Sequence, residues 1–152
     1  MKKSEYKFYI TPYDDQDNEG FEIDLEKDFE GLRYVSCKGL NNIGEPRVYT
    51  ETFSDEKSLS VYIPDKITRE TTDVTLTIAF FGDNRQQVYT SFVEELSHCK
   101  HYYRDTARKR GFTFVLKKAI TPSEDVLNGK TKYLKADFVL TNLDGITSTY
   151  KT

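Results

Sequence analysis

A chain of 152 residues with 37% hydrophobic content is long enough to bury one core, and 14% aromatic residues argue against an intrinsically disordered polymer. A net charge of −3 and a pI near 5.5 set aside a uniformly basic nucleic-acid-coating protein, and no run approaches the roughly 18 apolar residues of a membrane-spanning helix. Cys37 and Cys99 make no disulfide framework and are expected as reduced thiols, while MKKSEYKFYI lacks an apolar run after its lysines, so a product without signal peptide, made in the cytoplasm, is expected.

Eleven Tyr and ten Phe with no Trp point to a β-rich fold, because aromatics pack well on pleated surfaces. In chain order, Tyr6 to Ile10 alternates briefly as a strand. TPYDDQDNEG, Thr11 to Gly20, is dense in turn formers and is expected as an exposed loop, with residues 1–20 as a possible N-terminal arm. LRYVSCKG, Leu32 to Gly39, is the next predicted strand, closed by a polar turn at Asn41 to Gly44.

A long hairpin follows in VYTETFSDEKSLSVYIP, Val48 to Pro64. Tyr49, Glu51 and Phe53 share one face of its first run, and Leu59, Val61 and Ile63 share one face of the second. The tip, Ser54 to Ser58, carries Asp55, Glu56 and Lys57. Isolated hairpins are marginal in water, and this one alternates too far to bury both faces against so short a chain. Tyr49, Phe53 and Tyr62 are therefore the aromatic anchors expected to meet another molecule.

Asp73 to Phe81 (DVTLTIAFF) is the strongest predicted strand, with Val74, Leu76, Ile78 and Phe80 on one face. After Gly82 the spacing of Val88, Tyr89, Phe92, Val93, Leu96 and Cys99 predicts one amphipathic helix, with Asp83 as N-cap and Gln86 completing a capping box. Arg85, Glu94 and Glu95 are expected to face away from the core. RKRG is expected as a basic turn before a strand over Phe112 to Lys118. ITPSEDVLNGK is expected as a loop with a tight turn at Asn128-Gly129. YLKADFVLTNL, Tyr133 to Leu143, predicts a long strand with Leu134, Ala136, Phe138 and Leu140 inward. The opposite face, with Thr75, Thr77, Ala79, Thr113, Val115, Lys135, Asp137, Val139 and Thr141, is expected to be solvated.

Charge is unevenly distributed. Residues 1–30 carry ten acidic against four basic side chains, and residues 100–135 carry ten basic against three acidic. Opposed blocks suit association between copies, although two separate solvated surfaces would give the same count. The run Arg104, Arg108, Lys109 and Arg110 beside Tyr102 and Tyr103 is short for a nucleic-acid footprint, and a contact with an acidic neighbouring subunit is the expected use.

His98-Cys99-Lys100-His101 is the one cluster of metal-binding residue types. With only two histidines in the chain, and Cys99 assigned to the apolar stripe, the fourth ligand of a closed zinc site would have to be distant Cys37. The expectation is therefore no metal and no cofactor, with both imidazoles at a helix C-terminus and no carboxylate partner three or four residues away. A buried Cys99 would also be an inert thiol rather than a nucleophile. No phosphate loop, dinucleotide fingerprint or G-x-S-x-G is present, and Asp14-Asp15 and Glu94-Glu95 are expected as solvated pairs, so no catalytic site is expected.

The order of these elements is similar to that of a known family. VSCKG, the long hairpin, VTLTIAFFG, one amphipathic helix, the YYRDTARKRG turn and the closing FVLTNLDG strand follow one another from about Gly31 to Gly145. This resembles the tail tube subunits of tailed bacteriophages and their prophage relatives. The resemblance implies a single mainly β domain, a β-sandwich or half-barrel flanked by one α-helix. It implies self-association into six-membered rings that stack into a tube, with DNA only as passing cargo, other tail proteins as further partners and no membrane. The virion tail, assembled in the bacterial host cytoplasm, is the implied location. In that family the hairpin and terminal arms touch the neighbouring ring; the acidic segment to Gly20 has no matching motif. The expected interface is Tyr49, Glu51, Phe53, Asp55, Glu56, Lys57 and Tyr62 with Arg104, Arg108, Lys109 and Arg110. The alternative is a small β-barrel that binds a ligand or partner.

Overall fold

A computed structural model describes residues 2–46, 49–52, 59–62 and 68–149. The strand-period segments of the sequence fold into one antiparallel sheet. Its members are β1 (Phe8–Pro12), β2 (Ile23–Asp24), β3 (Leu32–Lys38), β6 (Thr72–Phe81), β7 (His101–Asp105), β8 (Arg110–Ala119), β9 (Ser123–Leu127), β10 (Thr131–Asn142) and β11 (Ser148–Thr149). The order across the sheet is β2-β1-β7-β8-β10-β6-β3, with β9 added beside β10 and β11 beside β8.

Register follows the apolar alternation. Leu134 lies opposite Phe80, Ala136 opposite Ile78, Phe138 opposite Leu76 and Leu140 opposite Val74, so every inward side chain of β10 meets an inward side chain of β6. Helix α2 (Arg85–Ser97) covers this face: Phe92 packs edge-on against Phe138 at 5.1 Å and Phe80 at 6.0 Å, and Leu96 is buried beside it. The N-cap is Asn84 rather than Asp83, and its side chain makes no capping bond. Helix position is therefore set by the packed face more than by its first turn.

The sheet curls until its two ends meet. A bulge at Val35, between Tyr34 and Ser36, bends β3, and another at Lys117, where the pairing with Val139 and Leu140 of β10 shifts, bends β8. Tyr34 of β3 then stacks on Phe8 of β1 at 3.6 Å, although these strands stand far apart in the sheet order. Short helix α1 (Leu25–Asp28) joins β2 to β3 across the seam and buries Leu25 completely. The result is a half-barrel filled by Phe80, Phe92, Phe112, Phe114, Phe138 and Tyr103, all fully buried. Among the described residues no helix is long and apolar enough to cross a membrane.

Several expectations change here. Phe8–Pro12 of the expected N-terminal arm is a strand of the sheet, paired with β7 and burying Ile10. Ser123–Leu127, expected as loop, is a strand that hairpins back onto β10 through Asn128 and Gly129, both with positive φ. HYYRD is strand β7, where a turn was expected. Thr77 and Ala79, expected on a solvated face, are buried. Ala79 lies between Arg33 and Lys135 in register, and Thr77 donates to Asp137 at 2.7 Å. Long charged side chains beside a small residue can cover it with their aliphatic stems.

Strands β4 (Tyr49–Thr52) and β5 (Leu59–Tyr62) form the hairpin as a separate two-stranded sheet, with Tyr49 opposite Tyr62 and Glu51 opposite Ser60. Its base is fixed by a bridge between Pro46 and Arg69 and a bond from Glu70 N–H to the Glu45 carbonyl at 2.9 Å. Gly44 donates to the Gly145 carbonyl at 2.7 Å, and the close approach of the Glu70 carbonyl leaves no room there for a Cβ.

Candidate functional site

Of the residues expected at an interface, Phe53, Asp55, Glu56 and Lys57 lie outside the described residues. Tyr49, Glu51 and Tyr62 take the main-chain places given above in β4 and β5.

Three residues of the basic run, Arg104, Arg108 and Arg110, make contacts within the chain. Arg104 binds both carboxylate oxygens of Glu22 at 2.9 and 3.2 Å and lies over the Tyr9 ring at 4.3 Å. Arg110 donates to the Thr147 hydroxyl and to the Leu40 carbonyl, tying the C-terminal segment to the end of β3. Arg108 reaches the Tyr34 hydroxyl at 3.4 Å. Lys109, in a left-handed turn position with φ of 54°, is exposed. The opposed charge blocks thus meet partly within one chain, through Arg104–Glu22 and Lys100–Asp17. Arg104→Ala is expected to lower stability by about 1 kcal/mol through the lost cation–π and bidentate contacts, read by urea unfolding, and to leave self-association unchanged.

A polar network sits inside the closed end of the half-barrel. Tyr103 donates to Asp105 at 3.2 Å and lies 3.1 Å from the Tyr34 hydroxyl; Asp105 accepts the Arg108 N–H at 2.6 Å. Tyr103 and Asp105 are fully buried. Burial pushes the Tyr34 hydroxyl and the Cys37 thiol each up to about 12, so Cys37 is an inert thiol.

The third feature lies where α2 runs into β7. The last helical turn places Glu95 and His98 three residues apart on one face, and the chain then bends so that His101 opens β7. His101 is fully buried against Phe114, their rings 5.7 Å apart and nearly parallel. Its Nδ1 lies 3.1 Å from the Cys99 carbonyl, and its Nε2 lies 2.7 Å from Glu95 Oε2. His98 Nε2 lies 2.8 Å from the same oxygen, and Cys99 Sγ stands 3.8 and 3.9 Å from the two Nε2 atoms.

These positions correct the sequence expectation. Glu95 does not face away: it is half-buried and partners both histidines. Cys99 is not a buried stripe residue; it lies past the helix end and is only partly covered. Periodicity extended the stripe one turn too far, and Glu95–His98 spacing was the overlooked signal. Burial pushes the Glu95 carboxyl up, but hydrogen bonds from His101 and His98 outweigh it and leave it below the usual range. Burial, then the charges of Glu95 and Asp15, push the Cys99 thiol up despite the Tyr13 N–H, so it is no ready nucleophile. Asp14 is occupied in its own loop, accepting from the N–H groups of Asn18 at 2.8 Å and Gln16 at 2.9 Å, and offers no paired carboxylate chemistry.

A curled antiparallel sheet closed end to end, with one covering helix and one hairpin set apart from the sheet, is the architectural class these elements define. A chain of the phage P2 baseplate in its activated conformation with Sr is similar to it over 89% of this chain and 44% of that chain, with a TM-score of 0.50 and 11% identity. The baseplate structure of the same phage with Ca gives a TM-score of 0.49 at 13% identity, over 88% of this chain and 43% of that one. The Dit protein (gp 19.1) of phage SPP1, a hub adsorption apparatus protein, gives 0.49 at 13% identity, over 94% of this chain and 52% of that one. This chain spans about half of each of those chains or less. No protein-family model and no curated protein sequence matches it.

Proposed function

We propose that this chain is a structural, non-catalytic subunit of a phage or prophage tail that assembles with copies of itself into rings, six-membered by the resemblance, which stack into a tube for DNA passage. The observation that carries this reading is the β4–β5 hairpin, whose strands pair with each other and join no other strand of the described sheet. Such a ribbon gains stability when a neighbouring subunit covers it. Phe21, 95% exposed beside β2, is a further apolar side chain suited to a subunit contact. The polar outer face of β6 and β10, with Thr75, Lys135, Asp137 and Thr141, suits a lumen, because mixed charge does not hold phosphates as a dense cationic lining would.

Fold likeness to a chain of the P2 baseplate supports a second placement, a ring at the end of the tube rather than along it. Light-scattering mass with negative-stain images at rising concentration separates the two. A tube subunit continues to stack into cylinders, and an end-ring subunit stops at discrete rings. The alternative of a ligand-binding barrel is less well supported, since the interior is filled by aromatic rings. A protein monomeric at every concentration would return attention to it.

Part of the charge asymmetry is satisfied within the chain, yet Glu5, Asp15 and Glu30 of the acidic segment and Lys109, Lys118, Lys130 and Lys135 of the basic segment remain exposed. Ring stacking is therefore expected to weaken as salt rises from low to high ionic strength, since such charges are screened beyond about 10 Å at 0.1 M. Sedimentation velocity across a salt series measures it. Tighter association with added salt would indicate an apolar contact instead.

A further inference from the structure

We propose that Glu95, His98, Cys99 and His101 form a closed site for one tetrahedral, borderline-soft divalent cation of the zinc type, at the junction of α2 and β7. Their four ligand atoms lie within 4.8 Å of one another. Ordinary zinc bond lengths give tetrahedral edges of roughly 3.6 Å between sulfur and nitrogen and roughly 3.3 Å between oxygen and nitrogen. The observed Sγ to Nε2 separations of 3.8 and 3.9 Å are close to the first value. The Oε2 to Nε2 separations of 2.7 and 2.8 Å need only a small opening of the Glu95 side chain.

Hydrogen-bond bookkeeping at His101 carries the argument further. The Cys99 carbonyl can only accept, so the contact at 3.1 Å requires the proton on Nδ1. The His101 Nε2 faces the Glu95 carboxylate oxygen 2.7 Å away, so either a proton or a metal ion must lie between the two atoms. A second proton on the ring would answer that need, but it gives no part to the Cys99 sulfur, which faces both Nε2 atoms. A metal ion uses all four groups. It also explains the Nδ1 contact, because metal-bound histidines usually donate their other N–H to a carbonyl or carboxylate, which fixes tautomer and orientation.

Donor chemistry sets the class of ion. Two imidazoles, a thiolate and one carboxylate suit zinc, whereas calcium and magnesium take oxygen ligands in larger number. Four protein ligands leave no open position, so the site is structural rather than catalytic. An entry route exists, since exposed His98 and partly exposed Cys99 line a surface groove opposite Tyr13, Asp14, Asp15 and Glu19. These carboxylates raise the local concentration of cations. Bound metal would pin the helix C-terminus to the sheet.

The test uses the full chain, stripped with chelator, kept reduced and titrated with cobalt(II) chloride. One cobalt per chain is expected, with the intense visible absorption of tetrahedral cobalt and a near-ultraviolet thiolate charge-transfer band. Zinc should bleach both, and excess calcium should not. Saturating zinc should raise the melting temperature, on the order of 5 °C. Cys99→Ser should remove the charge-transfer band, and Cys99→Ser and His98→Ala, each removing a direct ligand, should weaken binding by more than the roughly 100-fold that loss of an outer-shell partner can cost. Both positions lie outside the buried core, so circular dichroism should show the fold retained, and Cys37→Ser should keep the spectrum. Absence of tetrahedral cobalt absorption in the folded protein would overturn the site. So would a band that survives Cys99→Ser and vanishes in Cys37→Ser.

Discussion

Removal of Ser54 to Ser58 is expected to abolish ring stacking while leaving the melting temperature of the isolated subunit nearly unchanged. The base of the hairpin is held by the Pro46–Arg69 bridge and by the bond from Gly44 to Gly145, both of which the deletion leaves in place. The register of Tyr49 with Tyr62 and Thr52 with Leu59 pairs β4 with β5, and neither strand is part of the nine-stranded sheet. The sheet core, centred on the pairing of β6 with β10, draws no strand from that ribbon. Assembly, not folding, is therefore the property at risk. Sedimentation velocity and negative-stain images measure assembly, and a thermal melt measures the fold. A deletion that unfolds the subunit would place the hairpin in the core and remove the main support for the assembly reading.

Much of the fold was legible because its strongest strands obey simple alternation. Val74, Leu76, Ile78 and Phe80, and Leu134, Ala136, Phe138 and Leu140, point inward as the two-residue period requires. The helical stripe through Phe92 and Leu96 was equally direct. Strand β7 was hidden because its inward residues are His101, Tyr103 and Asp105, so binary patterning marks the buried face as polar. Tyr103 is matched by Tyr34, 69 residues away, whereas Asp105 is matched by Tyr103 and Arg108 and His101 by Glu95, near in sequence but across a bend or a change of element. Single-sequence periodicity cannot find such partners. The same cause explains the basic run. Arg104 and Arg110 look like free surface charge in one dimension, but Glu22 and Thr147 lie 82 and 37 residues away along the chain. The histidine cluster fell between these cases. Its residue types were visible, but the fourth ligand was sought in Cys37 because Glu95 was assigned to the opposite face of the helix.

Asp105→Ala is expected to lower unfolding stability by about 3 kcal/mol, the order seen when one partner of a buried charged network is removed. The carboxylate is fully buried at the closed end of the half-barrel, where it accepts from the Tyr103 hydroxyl and the Arg108 N–H. Truncation leaves the Arg108 amide without its side-chain acceptor and opens a small void opposite Phe8, the partner of Asp105 in register across β1 and β7. Tyr103→Phe is the gentler companion. It removes one hydroxyl but leaves Asp105 with its Arg108 bond, so about 1 kcal/mol is expected, near the net worth of a single hydrogen bond. Urea unfolding of the two variants, each checked for an unchanged m-value, measures the difference. Equal losses would mean that the Asp105 charge adds nothing beyond the Tyr103 contact. A larger loss for Asp105→Ala identifies the carboxylate as the group around which this end of the barrel closes. The effect should appear in the isolated subunit, because every named partner of Asp105 lies in the same chain.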